Sequence, residues 1–191
     1  LDGTEGLRMK SSMRLVSLMV EIESKHGDHA KLELRQSEIG DTQVIALSEK
    51  LANNQIVRYL DISDNNVTDN GMRALAEALC QNEALHTLHA QGNFVSNPTA
   101  QSFGYLIKHH STLLRLDLSH KNCAIRLIPP GVTAERMGFE AANILADALR
   151  SPGCAGSLRY LGLARNAISE AGGCSIAAWL ATASVPLQTL D

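Results

Sequence analysis

Several functional classes are excluded by what this chain lacks. It carries 17 Lys and Arg against 20 Asp and Glu, a formal net charge of -3, and its basic residues form no clustered stripe of the kind that tracks a nucleic-acid backbone. No nucleic-acid partner is expected. No apolar run approaches the ~20 residues that cross a bilayer, so no membrane partner is expected either. The four cysteines, Cys80, Cys123, Cys154 and Cys174, form no close metal-type pair; reduced thiols in a cytoplasmic protein are the simplest reading. There is no phosphate-cradling glycine loop and no activated serine or cysteine. The expectation is a non-enzymatic protein with no metal and no cofactor.

What the chain has is repetition. The pattern L-x-x-L-x-L-x-x-N-x-L, seen in Val57, Leu60, Ile62, Asn65 and Val67, recurs along it. Leu60, Leu88 and Leu116 follow one another at 28 residues, Leu161 comes after 45 and Leu190 after 29. A period of that length is the mark of a solenoid. Each unit changes rhythm halfway, from alternation at Leu60-Asp61-Ile62 to helical spacing at Gly71, Leu75 and Leu79, which predicts one strand followed by one helix. Neither can bury its apolar side alone. Successive units must stack, with strands in a parallel inner sheet and helices outside, and this requires Leu60, Leu88 and Leu116 on adjacent rungs. The fold expected is an α/β leucine-rich-repeat solenoid over residues 29–191, with a truncated sixth unit at 187–191.

The ends and one excursion depart from the period. Residues 1–28 have the apolar density of a helix, with Met13, Val16 and Val20 among charged residues, and are read as a cap or degenerate repeat over the first unit. The start at Leu1, and a sixth strand that begins without a capping sequence, suggest a fragment; that end would meet missing repeats or a further chain. The fourth unit is 45 residues long instead of 28, which places an insertion at about 124–140. It includes Arg126, Leu127 and Ile128, followed by a stiffening Pro129-Pro130. Loops of this kind on a rigid scaffold commonly carry recognition. The alternative is apolar packing back onto the rim.

Local chemistry fits the same periodicity. Asn65, Asn93 and Asn166 share the turn after the strand, where an amide can pair backbone groups left free by the bend; Ser37 and Lys121 replace it in the first and fourth units. Asp41, Asp69 and Asn97 share a phase just ahead of the helix and are expected to cap its amides. Pro98 suits a first helical turn. His109-His110 ends a helix, where protonated imidazole suits the dipole.

On Val67-Thr68-Asp69-Asn70-Gly71 and Leu75-Ala76-Glu77-Ala78-Leu79, with matching positions in the other units, the chain resembles the ribonuclease-inhibitor-like class of leucine-rich repeats found in NOD-like receptors and the Ran GTPase-activating protein. The resemblance covers roughly residues 29–191. It implies that another protein is bound on the concave face. Alternation assigns to that face Lys31, Glu33, Arg35, Tyr59, Asp61, Ser63, Thr87, His89, Gln91, Arg115, Asp117, Ser119, Tyr160 and Gly162. The residues expected to contact a partner are Tyr59, Asp61, His89, Arg115, Asp117 and Tyr160, with His120 and Arg165 at the rim and Arg126, Leu127 and Ile128 in the insertion. An alternative implied by the resemblance is a regulator of a small GTPase, acting through Arg115 or Arg165. Asp61, His89 and Asp117 share a phase and should line up about 4.8 Å apart, more as an electrostatic ladder than as a metal or catalytic site.

Overall fold

The computed structural model describes residues 30–120, 136–150, 157–182 and 187–191. The helix expected within 1–28 and most of the fourth-unit insertion, with Lys121, Arg126, Leu127 and Ile128, lie outside the described residues. Each repeat changes structure where its hydrophobic rhythm changes. Strands β1 (Ala30–Glu33), β2 (Val57–Asp61), β3 (Thr87–His89), β4 (Arg115–Asp117), β5 (Tyr160–Gly162) and β6 (Thr189–Leu190) alternate with helices α1 (Asp41–Leu51), α2 (Asp69–Leu79), α3 (Asn97–His109), α4 (Phe139–Arg150) and α5 (Glu170–Thr182). The strands form one sheet in chain order, every neighbouring pair parallel.

A column of leucines sets the register. Leu32, Leu60, Leu88, Leu116, Leu161 and Leu190 pair rung to rung, and the first five are at most 1% exposed. Each such side chain contributes about 1.5–3 kcal/mol of burial, which three-residue strands could not gain unstacked. The helices pack side by side behind the sheet, α1 on α2, then α3, α4 and α5. Leu79, Ile107 and Leu149 occupy one phase and are buried, whereas Leu180 at that phase of α5 is 46% exposed. Met137, counted with the insertion on sequence grounds, is fully buried. Its carbonyl accepts the Ala167 N–H at 2.9 Å, and it lies eight residues before Leu145, as Val95 does before Phe103.

The chain leaves β1, β2, β3 and β5 through a left-handed residue. Gln36, Asp64, Gly92 and Arg165 have φ of 54°, 56°, 74° and 59°, each just before the ladder position Ser37, Asn65, Asn93 or Asn166. That bend strands backbone groups inside the stack, and the ladder amides satisfy them. Asn65 is fully buried. Its Oδ1 accepts the N–H groups of Ser37 and Ile39, and its Nδ2 donates to the carbonyls of Leu34 and Ile62. Asn93 accepts from Val67 and donates to Ile62 and Ala90. Asn166 donates to Leu118 and Leu163.

A second ladder, not foreseen from the sequence, runs through the opposite turns. Asn54 Oδ1 accepts from Ile56 and Val57, and Asn82 Oδ1 from Ala84 and Leu85. His110 stands at the next position, where its Nδ1 accepts from Thr112 at 3.3 Å and Leu113 at 3.0 Å. This corrects the expectation of a protonated helix-terminal histidine. A ring nitrogen that accepts two amides carries no proton, and burial drives the His110 pKa below its ordinary 6.5, against a smaller opposing pull from the Asn82 backbone.

The acidic capping positions also act differently from expectation, across repeats instead of on their own helices. Asp41 and Asp69 are the first residues of α1 and α2. Asp41 accepts from the Thr68 N–H and hydroxyl. Asp69 accepts from the N–H groups of Ser96 and Thr99 and from both hydroxyls, and Asn97 accepts from the Gly138 N–H at 3.0 Å. Each therefore anchors the next helix start. Gly71 allows this approach, because a Cβ there would lie 2.7 Å from Asp41 Oδ1.

Two stability measurements test these ladders. Asn65→Ala leaves buried amides and carbonyls unpaired and should cost about 2–4 kcal/mol in urea unfolding; a cost within about 0.5 kcal/mol of zero would show the ladder to be dispensable. For His110, the folded pKa lies below the unfolded one, so its stabilising contribution is complete above pH 6.5 and is lost as pH falls through the folded value. His110→Asn restores the group used at Asn54 and Asn82. It should keep the stability seen at neutral pH and flatten the acid-side decline, read as urea midpoints at a series of pH values.

Candidate functional site

Side chains between the leucines stand on the open face of the sheet, opposite the helices, and strand register sorts them into rows. One row is Lys31, Tyr59, Thr87, Arg115, Tyr160 and Thr189; the next is Glu33, Asp61, His89, Asp117 and Gly162. Six of the residues expected to contact a partner, Tyr59, Asp61, His89, Arg115, Asp117 and Tyr160, are thus brought onto one surface.

The first row is held by aromatic faces. The Arg115 guanidinium lies 3.5 Å from the centroid of the Tyr160 ring, a cation–π contact of about 0.5–1 kcal/mol at a part-exposed site. At the other end, Lys31 Nζ is 5.3 Å from the Tyr59 centroid, and the Tyr59 and His89 rings are 5.5 Å apart. Burial first, then the carboxylates of Asp61 and Glu33, push the Tyr59 hydroxyl pKa up. Burial and then Asp117 do the same to Tyr160, with Arg115 opposing. Both phenols stay protonated donors at neutral pH.

Register assembles the Asp61, His89 and Asp117 line. His89 Nδ1 lies 3.9 Å from Asp117 Oδ2. Both carboxylates also accept from their own bends, Asp61 from the Ser63 N–H at 2.8 Å and Asp117 from the Ser119 N–H at 3.0 Å. Asp117 is 8% exposed, and its Oδ1 would be 2.5 Å from a Cβ at position 162, so glycine there leaves room for the carboxylate. Among the described residues no group of three or more His, Cys, Asp or Glu is placed to hold a metal ion.

The rim residues are less uniform. His120 is half-buried with its Nδ1 enclosed; burial, then the nearby Arg136, lower its pKa. Arg165 is exposed on the left-handed bend after β5. Arg35 is tied to Asp64, Nε to Oδ2 at 3.0 Å. Sequence reasoning missed a further aligned row of Arg58, His86, Leu114 and Arg159, joined by main-chain bonds from His86 to Arg58, from Leu114 to His86 and from Arg159 to Leu114. The signal was available in the same 28-residue spacing, one position ahead of Tyr59.

A sequence model of the Leucine Rich repeat family matches residues 53–76. No curated protein matches the chain. Among solved structures, actin-binding site 2 of leiomodin-1 is similar with a TM-score of 0.62 at 16% identity, covering 90% of this chain and 86% of that one. The tropomodulin C-terminal domain of Caenorhabditis elegans has a TM-score of 0.61 at 12% identity, with 89% and 91% covered. At these identities the likeness speaks to fold, and no helix among the described residues is long and apolar enough to cross a membrane. With its in-register leucines and paired asparagines, the chain folds as an α/β leucine-rich-repeat solenoid.

Proposed function

We propose that this solenoid is a protein-recognition module that takes its partner against the open sheet face. The observation that carries the reading is the Arg115–Tyr160 stack. Tyr and Arg dominate interface energetics where they are already ordered, because little conformational entropy is lost when the partner arrives. Tyr59, braced by Lys31 and His89, supplies a second aromatic anchor two rungs away. His120 and Arg165 border this surface, and the fourth-unit insertion, with Arg126, Leu127 and Ile128, is a second contact in this reading. The structural neighbour from leiomodin-1 is named as an actin-binding site, which makes actin the partner to test first. A GTPase-directed role for Arg115 has less support, since that guanidinium is laid on the chain's own Tyr160.

The test is a titration of fluorescently labelled monomeric actin with the chain and with the Arg115→Ala/Tyr160→Ala double variant. Saturable binding that weakens at least ~30-fold in the double variant is expected, from two anchors worth about 2 kcal/mol each before non-additivity. No binding by the wild type would remove actin; equal binding by both would remove the sheet face. Deleting residues 124–137 should also weaken binding, and an unchanged affinity would take the insertion out of the interface.

A further inference from the structure

The open face is divided by charge along the strand direction. The first row holds Lys31 and Arg115 and no carboxylate, while the second holds Glu33, Asp61 and Asp117 and no Lys or Arg. Arg58 lies one residue ahead of the first row, with its Nη1 donating to the Ala84 carbonyl at 2.8 Å. These charges are not cancelled within the face. The ion pairs among the described residues are Arg35–Asp64, His89–Asp117 and Arg150–Asp147, so Asp117 alone of the two rows' Lys, Arg, Asp and Glu is paired, and by a histidine at 3.9 Å. Lys31 and Arg115 lean on tyrosine rings, which hold their positions without neutralising them. The upward push of Glu33 and Asp61 on Tyr59, and of Asp117 on Tyr160, reports the same field from the second row.

We propose that this face takes a partner's α-helix lying across the strands, with an acidic flank over the Lys31 and Arg115 row and a basic flank over the Glu33, Asp61 and Asp117 row. The inference rests on the sheet-face reading above and adds the chemistry of the occupant. Two residues along a strand separate the rows by about 7 Å, so the flanks of a helix 10–12 Å wide overhang both. Lys31 and Arg115 are three rungs apart, roughly 14 Å, a distance spanned by between two and three helical turns. Tyr59 and Tyr160 lie in the first row, beneath the helix. An extended peptide could also alternate acid and base, but here it would meet side chains and no sheet edge, leaving its own backbone groups desolvated without partners. A helix satisfies those groups internally.

The probes are stapled helical peptides of about 18 residues, roughly 27 Å long, made as isomers of one composition. In one, Glu lines one flank and Lys the other; in the second, the same residues are interspersed. Wild-type chain should bind the segregated isomer at least ~10-fold more tightly at low salt, with the preference shrinking as salt screens it. Lys31→Glu/Arg115→Glu makes both rows acidic and should switch the preference to a peptide with Lys on both flanks. Circular dichroism and urea midpoints verify that this variant is folded, and the wild-type comparison stands without it. Equal binding of the two isomers, or no binding of either, overturns the proposal. If actin binding still depends on Arg115 and Tyr160 while the isomers bind alike, the helix inference falls alone; actin bound equally by the wild type and the Arg115→Ala/Tyr160→Ala variant removes the sheet-face reading as well.

Discussion

The bends after β1 and β2 leave backbone groups that asparagines of the neighbouring repeats satisfy. Strands of three residues and left-handed turns at Asp64 and Gly92 bring amides and carbonyls into a dry interior. Buried groups of that kind cost about 1–3 kcal/mol each when unpaired. Asn65 answers this by bonding backward to Ser37, Ile39 and Leu34 while also holding its own Ile62 carbonyl. The leucine column contributes one stripe of a larger buried core, but leucine contacts are non-directional. The amide bonds fix the turn geometry that brings each leucine over the next.

The helix ends obey a parallel logic with different chemistry. Asp69 at the start of α2 ties down the start of α3 through Ser96 and Thr99, and Asp41 does the same for α2 through Thr68. On the other side of the stack, Asn54, Asn82 and His110 collect the amides that enter the next strand. Histidine fits that column because neutral imidazole offers an acceptor nitrogen where asparagine offers a carbonyl oxygen. The substitution turns a pH-independent link into one that protonation breaks.

Because the strands are joined by their main chains and the side-chain bonds of Asn65, Asn93, Asp41 and Asp69 lie at the turns and helix starts, the outward strand positions are free to vary. Tyr59, Thr87, Arg115 and Tyr160 share a row yet have little in common chemically. Their arrangement still produces order: aromatic faces brace the cations, and acids gather one row further on. A rigid lattice with a fixed spacing converts scattered sequence positions into a surface of defined polarity. That spacing is why a pattern of charges can be read across residues far apart in the chain.

The sequence by itself determined the repeat, the parallel strand order, the leucine rungs and the turn asparagines, because each rests on a period that survives in one dimension. Membership of the open face was legible for the same reason: alternation placed Tyr59, Asp61, His89, Arg115, Asp117 and Tyr160 correctly on one side. Only the tertiary structure decided which groups meet. That His110 joins a column of asparagines, that Asp69 serves the following helix and that Met137 belongs to the core depend on how the repeats pack. Side-chain direction and burial are set by packing in three dimensions, and a residue's phase in the repeat fixes its address without fixing its partner.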